Sequence, residues 1–229
     1  MVSKNSTGRK VSPVTTASPA SPARSGRGRR STRPSGEDRE AAILRTAERL
    51  LETSKFADIS VDDLAKGAGL SRPTFYFYFP SKESVLLTLL DRVMVEANSR
   101  LGSFASVLTA DRDASLRAGI NAFFATFAAH PAVCAAAAEV KANSPEVREL
   151  WADFMQRSID HTTGVIEAER AKGDAPVTLP AHELSTALNL MNEAVMTSSI
   201  VGSAPSMPAD RILDTLVFIW RTTIYGEPA

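Results

Sequence analysis

Apolar residues recur at helical spacing along most of the chain, and no stretch alternates with the two-residue period of a half-buried strand. From Glu37 to Leu51, the residues Ile43, Leu44, Ala47, Leu50 and Leu51 make one stripe, with Glu37, Asp38 and Glu40 at the start. There the acids complement the positive end of the helix dipole. Ser60 precedes Val61-Asp62-Asp63 in capping-box order, and this second helix stops at Gly67-Ala68-Gly69. Ser71 caps the next start, with Pro73 in a first turn where a missing N–H costs little. That helix is short and ends at Phe79-Pro80. Ser81 caps a long helix from Lys82 to about Leu108. Further helices are predicted over 113–129, 132–142, 145–172, 181–202 and 209–225. Pro131, Ser144-Pro145, Gly173 through Pro176, Pro180, Pro205 and Pro208 separate them. The pattern predicts an all-α chain of about nine helices, with no internal repeat.

Charge changes the picture. The 229 residues carry 26 bases and 26 acids, so the formal net charge is zero. That average hides a gradient. Residues 1–36 hold eight bases and no acid, residues 37–82 seven bases and eight acids, and residues 83–229 eleven bases and eighteen acids. Such asymmetry points to an anionic partner at the N-terminal end. Twenty of the first 36 residues are Ser, Thr, Pro or Gly, so residues 1–35 are expected to be a disordered basic tail. The tail has no apolar signal core, and an organellar transit peptide is the lesser alternative. Either it only solubilises the chain, or Arg27 to Arg33, with Arg29, Arg30 and Arg33, is an arm that follows a nucleic-acid groove. Residues 36–82 are then a DNA-binding domain and 83–229 a second, larger domain.

Two short helices joined by a glycine-containing turn form the helix-turn-helix pattern. Its second helix must bury one face and offer the other. Phe75 and Phe79 stand at i and i+4, on the inner face. Thr74, Tyr76, Phe77 and Tyr78 then fall partly outward, because five consecutive Thr and aromatic residues on so short a helix cannot all be buried. Arg72, Thr74, Tyr76 and Phe77 are placed to reach base edges and thymine methyls, and Ser71 at the cap is a further DNA-contact candidate. Tyr78 can donate to a phosphate. Lys82 opens the following helix, so its charge and that helix's N–H groups can converge on one phosphate. Ser60 and Lys66 are backbone-contact candidates, although for Lys66 a plain solvated surface lysine is as good a reading.

The stretch from Ile59 to Glu83, ISVDDLAKGAGLSRPTFYFYFPSKE, resembles the signature of the TetR family of bacterial repressors, densely and without gaps. The resemblance to members of that family extends over roughly residues 27–229. It implies a three-helix DNA-binding domain that meets double-stranded operator DNA, and a larger helical domain. It implies homodimers in which the last two helices pair, a cytoplasmic location with nucleoid association when bound to DNA, and release by a small hydrophobic effector. The members it resembles most govern a monooxygenase gene, so control of such a gene is a further implication. A rival within the same class is a regulator or activator that takes no ligand and answers to a protein partner. Leu184, Leu188, Met191 and Val195 make one stripe, and Ile212, Leu213, Leu216, Val217, Trp220 and Ile224 another. They are compatible with pairing, though such stripes are more often core within one chain.

By the same resemblance, an elongated apolar effector tunnel is lined by Leu101, Ile120, Phe123, Phe127, Trp151, Met155, Thr162, Asn189, Asn192 and Trp220. Apolar walls with few polar groups are what such pockets need. Leu116, Ser158, His161 and Thr197 stand where the similar members have aromatic residues, so the tunnel should be wider or more polar. His161 is a new polar handle there, or a satisfied structural histidine. Asn189 and Asn192 lie at i and i+3 in an apolar run; they contact ligand or are satisfied by neighbouring backbone.

Other classes are disfavoured. His182-Glu183 begins a metalloprotease-like pattern, but position 186 is Thr. The single cysteine, Cys134, lies in an Ala-rich run and reads as an inert thiol. There is no base–nucleophile constellation, so no enzyme, no cofactor and no metal are expected. Ala118 to Ala138 has no charge and is long enough for a membrane span. His130-Pro131 breaks it in the middle, so two buried helices meeting there are expected, and no membrane partner.

Overall fold

A computed structural model describes residues 35–105 and 111–226; the side chains of residues 101–105 lie outside that description. The expectations for the tail, for Arg29, Arg30 and Arg33, and for the side chain of Leu101 therefore fall outside the described residues. Among the described residues there are nine α-helices and no strand. They are α1 (Gly36–Leu51), α2 (Val61–Gly67), α3 (Arg72–Tyr78), α4 (Lys82–Ala105) and α5 (Arg112–Ala129). Then follow α6 (Pro131–Lys141), α7 (Pro145–Lys172), α8 (Ala181–Val201) and α9 (Ala209–Tyr225). The one element not expected from the pattern is a 3-10 helix over Phe56–Asp58.

Helix starts follow local chemistry. The side chains of Ser35 and Ser60 accept from the N–H of Asp38 and Asp63, and each aspartate accepts in return from the serine N–H. These are two complete capping boxes. Ser71, Asp111 and Ser144 accept from Thr74, Ala114 and Val147 in the same way. The Ser81 hydroxyl accepts from the N–H of Ser84 at 3.2 Å. The α2–α3 turn needs Gly69, whose φ is +70°, a conformation that costs a side-chain-bearing residue. Gly67 is required for another reason: a Cβ there would run into the Thr46 side chain of α1. α5 and α6 meet at 88° at His130, and no single described helix is long and apolar enough to cross a membrane.

The core lies in two clusters. The first joins Ile43, Leu44, Leu64, Phe75 and Phe79 to Leu86, Leu89, Leu90 and Met94 of α4, and continues into Phe127, Val133, Val147 and Phe154. The second holds Ile120, Ile166, Leu184, Leu188, Ile212, Leu216, Val217, Trp220 and Ile224. Most of the α8 and α9 stripe residues read in the sequence are thus buried inside the chain, and Met191, Val195 and Leu213 are partly buried against them. The large apolar residues that α8 and α9 leave exposed are Leu190, Val201 and Phe218, on other faces.

Candidate DNA-reading face and effector cavity

The short helix α3 is anchored by Phe75, which is fully buried, and by Phe79 behind it. Their rings lie 6.1 Å apart. Anchoring these two turns the intervening residues outward: Phe77 is 83% exposed and Tyr76 45%. Exposing two large aromatics costs hydrophobic free energy, so they read as contact residues rather than as packing. The Arg72 guanidinium lies 5.8 Å from the Tyr76 ring centroid and donates to its hydroxyl at 3.4 Å. Tyr78 is half-buried, edge-on to Phe77 at 5.2 Å. Arg72, Tyr76, Phe77 and, partly, Thr74 form one exposed face.

Four other expected DNA contacts are engaged within the chain. The Ser60 hydroxyl donates to Asp63 Oδ2 at 2.5 Å within its capping box. The Ser71 hydroxyl caps α3 and pairs with Thr74 Oγ1 at 2.8 Å. The largest departure is Lys82. Its Nζ donates to the carbonyls of Phe56, Ala57 and Ile59 at 2.9, 3.1 and 2.9 Å, and sits 4.6 Å from the Phe56 ring centroid. All three ammonium donors are used, so Lys82 closes the 3-10 helix onto the start of α4 instead of presenting a free charge to phosphate. The pattern of apolar residues did not show this, because the carbonyls belong to an irregular segment. Lys66 is 75% exposed and pairs with Asp62 at 2.6 Å, a solvated helix pair worth little.

The second site is a cavity of about 840 Å³ bounded by α5, α6, α7, α8 and α9, with Asn98 contributed by α4. This lies in the upper part of the range of small-molecule pockets. Of the fourteen residues expected to line an effector tunnel, Leu101 falls outside the description. The other thirteen (Leu116, Ile120, Phe123, Phe127, Trp151, Met155, Ser158, His161, Thr162, Asn189, Asn192, Thr197 and Trp220) all line this cavity. One end is aromatic: Phe127 lies 5.8 Å from Trp151 and 5.6 Å from Phe154, and Phe123 lies 5.4 Å from Phe154. Phe154 was missed, though it sits one turn from Trp151 and Ser158 on the same helix face. The charged lining residues Arg112, Lys141, Arg157, Glu169, Lys172 and Glu193 were missed because a search for apolar periodicity passes over them.

The polar lining groups are unevenly satisfied. Asn189 donates to Thr162 Oγ1 at 3.2 Å and to the Ser185 carbonyl at 2.9 Å, while its Oδ1 has no protein donor among the described residues. Asn192 Oδ1 accepts from the Trp220 indole at 3.0 Å. Only Asn189 has a backbone partner, the Ser185 carbonyl; the other partners are the side chains of Thr162 and Trp220, and each asparagine keeps one polar atom without a protein partner among the described residues. The Trp151 indole N–H is buried without an acceptor. Such a group costs free energy until an acceptor arrives. Ser158 and Thr162 bond back to their own helix at 3.0 Å each, so their polarity is largely spent. Cys134 also lines the cavity, and burial pushes its thiol up to about 12, which keeps it protonated and unreactive. At the opposite end Arg112 pairs with Asp174 at 2.9 Å and lies 4.8 Å from the Tyr225 ring centroid. Burial, then the Glu169 carboxylate, push the Tyr225 phenol up to about 12.

Comparison with known proteins agrees with both halves. Residues 43–89 match the profile of bacterial regulatory proteins of the tetR family, and residues 116–226 match the EthR C-terminal domain. The chain is 62% identical over 202 residues to the HTH-type transcriptional regulator EthR of Mycobacterium tuberculosis H37Rv, covering 88% of this chain and 94% of the relative. It is 53% identical over 200 residues to EthR of Mycolicibacterium smegmatis, covering 87% and 92%. Among solved structures it resembles the fatty acid degradation regulator FadR of Bacillus halodurans, with a TM-score of 0.63, 18% identity and 81% and 94% of the two chains covered. It also resembles a regulator of Saccharomonospora viridis in complex with choline, with a TM-score of 0.62, 21% identity and 79% and 94% covered. At these identities the solved structures speak for the fold alone. With its helix-turn-helix head and EthR-type C-terminal half, the chain belongs to the TetR family of DNA-binding transcriptional regulators, which are not enzymes.

Proposed function

We propose that the chain acts as a homodimeric repressor whose hold on an inverted-repeat operator is released by a small hydrophobic effector. Residues 36–82 are the DNA-reading head, and residues from 83 onward hold the effector and pair the subunits. In each half-site α3 lies in the major groove. Arg72, Thr74, Tyr76 and Phe77 meet bases and thymine methyls there, and Tyr78 meets the backbone. Arg29, Arg30 and Arg33 follow the duplex from the tail. Pairing uses the outward faces of α8 and α9, where Leu190 and Phe218 are exposed. By the resemblance read in the sequence, the target is a monooxygenase gene and the place of action the cytoplasm.

One observation carries the effector half: an 840 Å³ cavity with an aromatic end, an unpaired indole N–H and amide groups with a free polar atom each. A regulator answering only to a protein partner has no use for such a space, because an unfilled cavity lowers stability. The test is fluorescence anisotropy on a duplex from the gene's own upstream region, against a scrambled duplex, across a salt series. Selective binding that weakens steeply with salt, and is released by hydrophobic ligands, is the expected result. Binding that is equal on both duplexes, or indifferent to every ligand that fills the cavity, would sink the reading.

A further inference from the structure

The cavity is lined by charge of the opposite sign to its surroundings. Residues 83–229 hold eleven bases and eighteen acids. Yet the lining holds four bases, Arg112, Lys141, Arg157 and Lys172, against two acids, Glu169 and Glu193. Three of these bases are matched: Lys141 to Glu193 at 2.7 Å, Lys172 to Glu169 at 2.9 Å, and Arg112 to Asp174 at 2.9 Å. Arg157 forms no ion pair among the described residues, although Asp153 and Asp160 stand one turn either side of it. Asp160 instead accepts from Gln156 at 2.8 Å. His161 follows Arg157 at i+4 on the same helix, lines the same cavity, and forms no ion pair either. Both side chains are exposed, so they stand where the cavity meets solvent. α7 touches α5 at the Phe154–Phe123 ring contact, and Arg157 and His161 follow one and two turns beyond it.

We propose that Arg157 and His161 form a head-group site for a carboxylate, so that the preferred occupant is an anionic amphiphile with its apolar body in the cavity. This rests on the effector reading above and deepens it. The guanidinium fork matches a carboxylate with two parallel hydrogen bonds, and the imidazole adds a third donor. A neutral chain of the same length satisfies the apolar wall but leaves Arg157 to water. A small dianion satisfies Arg157 but leaves the aromatic end empty. Only a molecule with a long apolar body and one charged end uses both.

The chain's only two tryptophans, Trp151 and Trp220, both line the cavity, so intrinsic fluorescence reports occupancy directly. Dodecanoate, its methyl ester and dodecan-1-ol, each below its aggregation limit, are titrated into the full-length protein. The expected result is dodecanoate binding about tenfold more tightly than the ester or the alcohol, a difference in the range of hydrogen bonds to charged groups at a wetted mouth. Arg157→Gln should bring that ratio close to one, and an unchanged urea midpoint shows that the variant is folded. His161→Gln should lower the ratio by a smaller factor. Equal affinities in the wild type, or a preference for the ester, overturn the proposal while leaving the cavity an effector site. A carboxylate preference that survives Arg157→Gln but falls in Lys172→Gln overturns the placement, since the head group then lies at the other end. Failure of all three probes to bind overturns both this proposal and the effector reading.

Discussion

At the scale of single residues, α3 separates folding from recognition. Phe75 is fully buried and Phe77 is almost fully exposed, two positions apart. Phe75→Ala should cost about 3–5 kcal/mol of stability by loss of buried ring and the cavity left behind. Phe77→Ala should leave the urea midpoint unchanged and abolish selective operator binding. If Phe77→Ala destabilises the protein as Phe75→Ala does, the outward face is packed against something and is not a reading surface. Lys82 offers a second test. Lys82→Met strips three carbonyls of their donor and should lower stability in the absence of DNA by about 1–3 kcal/mol. Should stability hold while the salt slope of DNA binding falls by about one, the lysine serves phosphate and not the chain.

At the scale of elements, the helices were legible because their ends are written in local chemistry. Ser35, Ser60, Ser71 and Ser144 cap through their side chains, and Pro73, Pro131 and Pro145 sit in first turns. The 3-10 helix over Phe56–Asp58 was not legible, since it is held by Lys82 from 23 to 26 residues away. Periodicity did mark the inner faces of α8 and α9, whose stripes supply Leu184, Leu188, Ile212, Leu216 and Ile224 to the second core cluster, but it could not say what covers Leu190 and Phe218 on their outer faces. The capping boxes make a pH prediction. The Ser35 and Ser60 hydrogen bonds hold the carboxyls of Asp38 and Asp63 below the ordinary aspartate value near 3.8. A lowered folded value means the contribution is complete above that ordinary value and is lost as pH falls through the folded one. Wild type should therefore lose more stability than Asp63→Asn on going from about pH 5 to about pH 2, read from urea midpoints at each pH. Parallel losses would mean the Asp63 bonds are no stronger in the folded chain than in the unfolded one.

At the scale of the whole molecule, the proposed function makes two demands: that subunits pair, and that the cavity speak to the head. For pairing, Phe218→Asp places a charge on an exposed apolar position of α9. It should give monomers in sedimentation that bind hydrophobic ligand normally but no longer bind operator, because one head contacts too few phosphates and bases. A dimer that survives this change would move the pairing face elsewhere. For communication, Phe127 and Phe154 line the cavity and also belong to the packed cluster that contains Leu44 and Phe75 of the head. A ligand that displaces those rings works against the packing that sets the head's position. Such coupling is reciprocal, so operator DNA should weaken ligand binding by the same factor by which ligand weakens operator binding. Phe127→Leu, which keeps an apolar side chain but loses the ring contacts to Trp151 and Phe154, should lower both factors together. Shared packing is only a spatial link until both bias the same equilibrium. Four affinities, each ligand measured with and without the other in both proteins, decide it: a factor near one in the wild type would mean the two sites are uncoupled, and a factor untouched by Phe127→Leu would send the signal by another path.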